Sequence, residues 1–195
     1  DNPKYDEDAL PPIGLGIIST AILNSGIDVE LIDAVASNIP LKELIIRIEE
    51  LAPDYLCINV FSTNLMLVKE LVESLKSDIH IIIGGLSTKD LQDEIFSWHT
   101  NMNLDVVHGD GEIIVIDIIK SKVIQEAKRV ELNKRFFLID NQSVYYNKNI
   151  SDEKLNRDFF VNEPIKHPHG FTEATIVTSR GCIYNCAFCA AAQSV

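Results

Sequence analysis

Along the first 120 positions the apolar residues switch between two rhythms, one recurring every three or four residues and one continuous or alternate. Gly14 to Ser25 sets Leu15, Ile18, Ile22 and Leu23 at helical spacing, with Pro11-Pro12 ahead and Gly26 behind as start and stop signals. Asp28 to Ile32 is short and alternating, which predicts a strand. Pro40 to Leu51 predicts a helix, because Leu41, Leu44, Ile45, Ile48 and Leu51 share one face and Pro53 ends the run. Tyr55 to Val60 then predicts a buried strand and Asn64 to Lys76 a third amphipathic helix. The run His80-Ile81-Ile82-Ile83 has the uniform apolar character of a central parallel strand covered on both faces, and Gly84-Gly85 stops it. Ser87 to Trp98 predicts a helix, Leu104 to Val107 a strand, and Gly111 to Lys120 a helix.

Strands and helices in this order, with short connections, predict an α/β fold: a doubly wound, Rossmann-like parallel sheet over residues 1–120. Such a sheet is expected to open on a strand, yet Asp1 leads into a loop and a helix, so that strand is expected upstream or from another segment. Residues 121–170 lose the rhythm and read as a linker. Within it, Arg129 to Leu138 and Gln142 to Tyr146 can pair as a hairpin across Ile139-Asp140-Asn141. Ser151 to Lys166 is polar and irregular, and Pro164 and Pro168 frame the connection. Residues 171–195 open a third region, in which Ala174 to Thr178 predicts a strand running into a cysteine-rich loop.

Composition narrows the function classes. A hydrophobic fraction of 46% with 24% charged residues is that of a globular chain. Residues 1–119 carry 6 Lys/Arg against 21 Asp/Glu, a balance of −15, whereas residues 120–195 carry 11 against 8, or +3. The total of −12 argues against a nucleic-acid backbone or an anionic membrane as partner. No apolar run approaches the roughly 18 residues of a membrane span, and no signal peptide opens the chain, so a reducing, cytoplasmic setting is expected.

Of the four cysteines, Cys57 stands alone in the apolar run Tyr55 to Val60 and reads as a buried, inert thiol. The other three, Cys182, Cys186 and Cys189, sit within eight residues, in Thr178-Ser179-Arg180-Gly181-Cys182-Ile183-Tyr184-Asn185-Cys186-Ala187-Phe188-Cys189. Thiolates in this density select soft metals. A zinc site ordinarily takes four ligands in separated pairs, and the nearest candidates for a fourth, His167 and His169, lie across the predicted strand. Three cysteines on a cubane leave one iron open to a cofactor or substrate.

The Cys-x3-Cys-x2-Cys spacing, with an aromatic residue before the third cysteine and Thr-Ser-Arg-Gly before the first, resembles the signature of radical SAM enzymes. The resemblance implies a 4Fe-4S cluster on Cys182, Cys186 and Cys189 at the start of a (β/α) barrel. It implies S-adenosylmethionine chelating the open iron, with Phe188 near its adenine, and reductive cleavage to methionine and a 5′-deoxyadenosyl radical. A reductant such as flavodoxin or ferredoxin is implied as a partner, and the substrate, small molecule or peptide, is left undefined. A barrel takes roughly 200 residues, so sequence beyond Val195 is expected and these residues alone are not expected to turn over substrate.

Residues 10–120 in turn resemble the cobalamin-binding domain that precedes the barrel in one radical SAM subclass. The matching stretches are Leu10-Pro11-Pro12-Ile13-Gly14-Leu15-Gly16, Val29-Glu30-Leu31-Ile32-Asp33-Ala34, Ile82-Ile83-Gly84-Gly85 and Val106-Val107-His108-Gly109-Asp110-Gly111-Glu112. Ligands of open α/β sheets bind at the carboxyl ends of the strands. Ser62, Thr63, Gly84, Gly85, Gly109 and Glu112 fall there and are the cobalamin-contact candidates. The resemblance is incomplete. Its Asp-x-His-x-x-Gly cobalt-ligand loop is missing, since Asp78-Ile79-His80 has Ile83 at the glycine position, so no histidine ligand to cobalt is expected. His108 reads as a solvated or hydrogen-bonded loop histidine, and Glu112 as a favourable charge at a helix N-terminus. Members of that subclass transfer methyl groups to carbon or run cyclisations and rearrangements. Two alternatives stay open: a radical SAM enzyme whose first domain binds no cobalamin, and a zinc-binding α/β module without catalysis.

Overall fold

A computed structural model describes residues 10–120, 136–139, 142–147, 152, 154–161, 163, 165–166, 172–178, 180 and 186. By its contacts the chain divides into two compact units. One holds residues 41–151 and 181–195, the other residues 1–40 and 152–180.

The larger unit contains α2 (Leu41–Leu51), β1 (Tyr55–Asn59), α3 (Leu65–Ser74), β2 (His80–Gly84), α4 (Thr88–Phe96), β3 (Leu104–Gly109) and α5 (Glu112–Ile119), then β4 (Phe136–Ile139) and β5 (Gln142–Asn147). Strands β1, β2 and β3 are parallel neighbours: Cys57 pairs with Ile82 and Ile83 with Val106. This is the Rossmann-like arrangement expected from the alternating rhythm. Strand β5 adds parallel to β3, and β4 closes the edge antiparallel, giving the order β1-β2-β3-β5-β4. The hairpin turns where the sequence places it, and residues 129–135 lie outside those described.

The core explains the order. Ile81 and Ile83 point to one face of β2 and are fully buried, alongside Val106 of β3. Ile48 of α2, Val68, Leu71 and Val72 of α3, and Ile95 of α4 pack in the same cluster. Ile82 and Val107 are also buried, so β2 and β3 are covered on both sides. Each such side chain contributes about 1.5–3 kcal/mol on leaving water. At the amino end of the sheet His80 Nε2 lies 2.7 Å from Asp105 Oδ2, and its ring stacks on Tyr55 with 5.1 Å between centroids.

The smaller unit contains α1 (Ile13–Asn24), a 3-10 turn (Arg157–Phe159) and the two-residue strands β6 (Ile165–Lys166) and β7 (Thr172–Glu173). Gly16 is required where α1 meets that turn, because a Cβ there would run into the ring of Phe160 and the side chain of Leu155. The Thr20 hydroxyl receives the Asn156 N–H at 2.9 Å and ties the same two segments.

Two expected strands do not form. Residues 28–32 join no ladder among the described residues, and neither do residues 174–178, which follow the short strand β7. Alternation fits a segment for a sheet, but a strand exists only beside a partner that takes up its N–H and C=O groups. No helix among the described residues is long and apolar enough to cross a membrane.

Candidate functional site

Because β1, β2 and β3 run parallel, their carboxyl ends and the loops that follow share one edge of the sheet. The loop after β1 is folded on itself: Phe61 N–H donates to Asn64 Oδ1 at 2.8 Å, and Asn64 Nδ2 donates to the Asn59 carbonyl at 3.1 Å. Ser62 N–H crosses to the Oγ of Ser87, 3.2 Å away, and so binds the first loop to the second. Val60 N–H donates to the Gly84 carbonyl at 2.7 Å.

Gly85 has φ +122°, and a Cβ there would meet Asn59 Oδ1 and the backbone of Val60. Its missing side chain therefore admits the end of β1, a use the turn-and-ligand reading of glycine did not anticipate. Gly84 is different: the nearest atom to a Cβ there is the Val107 carbonyl oxygen, at 4.0 Å. The Thr88 hydroxyl, buried at the start of α4, lies 2.9 Å from the Gly85 carbonyl and 3.0 Å from the Val107 carbonyl, its one proton shared between them. Gly109 ends β3 at φ +75°, and Glu112 is buried in the first turn of α5, where a negative charge suits the helix N-terminus.

The structure thus links Ser62, Gly84 and Gly85 through hydrogen bonds and packing, with Gly109 and Glu112 following β3 on the same edge. Thr63 is exposed in the first loop. Four large apolar side chains are left uncovered at or near these loops: Phe61 (40% exposed), Leu86 (53%), and Met66 and Leu67 in the first turn of α3. Sequence spacing gave no sign of them as a group, since loops join them only in three dimensions.

His108 is the less expected feature. Its Nε2 is shielded from solvent and has no hydrogen-bond partner, whereas the sequence suggested a solvated or bonded ring. Burial, and then the Lys89 ammonium, hold its pKa below the ordinary imidazole value. A backbone hydrogen bond at Thr88 and the Asp90 carboxylate act in the opposite sense. An imidazole whose pKa is lowered is neutral at neutral pH, and its Nε2 can then serve as an acceptor. Burying such an atom unpaired costs about 1–3 kcal/mol. Among the described residues only Trp98 Nε1 and Glu163 Oε2 share this condition, and Trp98 follows the far end of α4.

In the smaller unit, Ile13, Ile17, Leu155, Ile176 and Val177, with Arg157 and Arg180, line a cavity of about 330 Å³. Arg157 pairs with Glu163 and also donates to the Thr175 carbonyl at 2.7 Å.

Among the described residues no group of three or more His, Cys, Asp or Glu side chains stands close enough to hold a metal ion. Cys182, Cys189 and Phe188 lie outside the described residues, and Cys186 is exposed. Burial pushes the Cys57 thiol up to about 12, so it stays protonated and inert at neutral pH. His80, already bonded to Asp105, lies at the opposite end of β2 from the glycine loops.

The family model described as B12 binding domain matches residues 7–119. No curated protein and no solved structure matches the chain.

Proposed function

This chain belongs to the B12 binding domain family, and from that premise we propose that it is part of a cobalamin-dependent radical SAM enzyme. The family match over residues 7–119 carries the cobalamin half of the reading. The spacing of Cys182, Cys186 and Cys189 supports the other half.

The carboxyl edge of β1–β3 fits a flat macrocycle with polar arms. Gly84 leaves open space at its backbone, exposed Phe61 and Leu86 flank the loops, and the Nε2 of His108 lacks a partner. Ser62, Thr63, Gly84 and Gly109 would hold the corrinoid there, and Gly85 and Thr88 would keep the loops in place. Three thiolates suit a 4Fe-4S cluster that leaves one iron open, with Phe188 beside the nucleoside of S-adenosylmethionine. When bound, the cluster supplies the electron that cleaves S-adenosylmethionine, and cobalamin supplies a carrier for a methyl group or a second redox centre. An external protein such as flavodoxin or ferredoxin would deliver that electron, and a small molecule or peptide would be the substrate.

Anaerobic reconstitution with iron and sulfide in the presence of hydroxocobalamin tests both halves. The expected result is about four irons per chain and a corrinoid spectrum that survives gel filtration. Stoichiometric zinc without iron would replace the cluster with a structural metal. Iron without corrinoid would leave a radical SAM chain whose first domain serves another purpose.

A further inference from the structure

The carboxyl edge holds one polar atom that the fold buries and then leaves without a partner. Nε2 of His108 stands at the end of β3, directly before Gly109, whose positive φ turns the chain toward α5. The ring lies beside Thr88, at the start of α4. Thr88 is itself anchored to the Gly85 and Val107 carbonyls, so this neighbour of the imidazole is held in place. A buried nitrogen left without a partner is open to a donor that the chain does not supply.

We propose that Nε2 of His108 accepts a hydrogen bond from an N–H or O–H group on the periphery of the bound corrinoid, and so fixes how the ligand sits across the edge. The inference rests on the cobalamin reading above and assigns it a residue. Two sources offer that chemistry: the primary amides around the macrocycle and the ribose hydroxyl of the nucleotide tail. Cobinamide keeps the first and lacks the second.

The test titrates hydroxocobalamin and cobinamide, followed by their visible spectra, into the unaltered chain and into His108→Leu and His108→Gln. Thermal unfolding of each unliganded protein runs beside it. His108→Leu is expected to weaken hydroxocobalamin about tenfold without lowering the unfolding midpoint, because it removes an unpaired buried acceptor. His108→Gln, which keeps an acceptor oxygen, is expected to recover part of the loss. A matching loss with cobinamide assigns the donor to a ring amide, and a loss confined to hydroxocobalamin assigns it to the nucleotide. Unchanged affinity in His108→Leu overturns the proposal, as does a joint fall of affinity and stability that His108→Gln leaves uncorrected. If the unaltered chain binds neither corrinoid, the cobalamin reading falls and this inference with it.

Discussion

Two histidines on the same sheet are treated in opposite ways. At the amino end, His80 meets the Asp105 carboxylate at 2.7 Å and stacks on Tyr55. At the carboxyl end, His108 buries its Nε2 without a partner. Neighbouring features follow the same division. The turn before β2 is closed by Glu49, which receives Lys76 N–H at 2.6 Å and the N–H and hydroxyl of Ser77. The loops after β1 and β2 instead leave Phe61 and Leu86 in water. One edge ties its histidine and its turn to carboxylates, and the other sets exposed apolar side chains beside a buried acceptor. A buried acceptor without a partner, set beside exposed apolar side chains, marks the edge where a ligand can supply what the fold does not.

The largest expected effect breaks the open edge outright. Gly85→Ala puts a Cβ against Val60 at a backbone angle that L-residues rarely adopt, and should cost about 3 kcal/mol or more in chemical denaturation. Next, Asp105→Ala leaves the partly buried His80 ring without its partner. A loss of about 1–3 kcal/mol is expected, with corrinoid affinity unchanged. A change in affinity would show that the two edges are not independent.

Acid should separate the edges more gently. Backbone N–H of Lys76, the Ser77 hydroxyl and the Ser77 N–H hold the Glu49 carboxyl below its usual range. A depressed carboxylate stabilises the fold above its unfolded pKa and loses that contribution as pH falls through the folded value. Glu49→Gln should therefore flatten the acid limb of an unfolding-versus-pH curve, below about pH 4.5. His108 acts nearer neutrality and with the same slope. Its folded pKa is lowered, so below the unfolded value of 6.5 the denatured chain binds more protons and stability declines. Burial is the main cause, Lys89 adds to it and Asp90 opposes it. His108→Leu should remove that small decline as pH falls below about 6.5, as read by thermal unfolding.

Much of the fold was legible in the spacing of apolar residues. The stripe Leu41, Leu44, Ile45, Ile48 and Leu51 became α2, and the isoleucines after His80 became a strand buried on both faces. These signals are local and need no knowledge of neighbours. Residues 28–32 and 174–178 carry equally good strand patterns but join no ladder, since a pattern cannot report which segment lies alongside. The candidate site was legible in the same degree. Glycines after strands marked its loops, but the Ser62–Ser87 and Thr88–Val107 bonds, spanning 25 and 19 residues, depend on strand register. The condition of His108 depends on them in turn.

Thr88 has a consequence of its own. A single hydroxyl proton divided between the Gly85 and Val107 carbonyls means that the turn leaving β2 cannot shift along β3 without one carbonyl losing its donor. A group settling over that turn is therefore felt at the strand beside it. Valine at this position would keep the shape and release the turn after β2 from the strand.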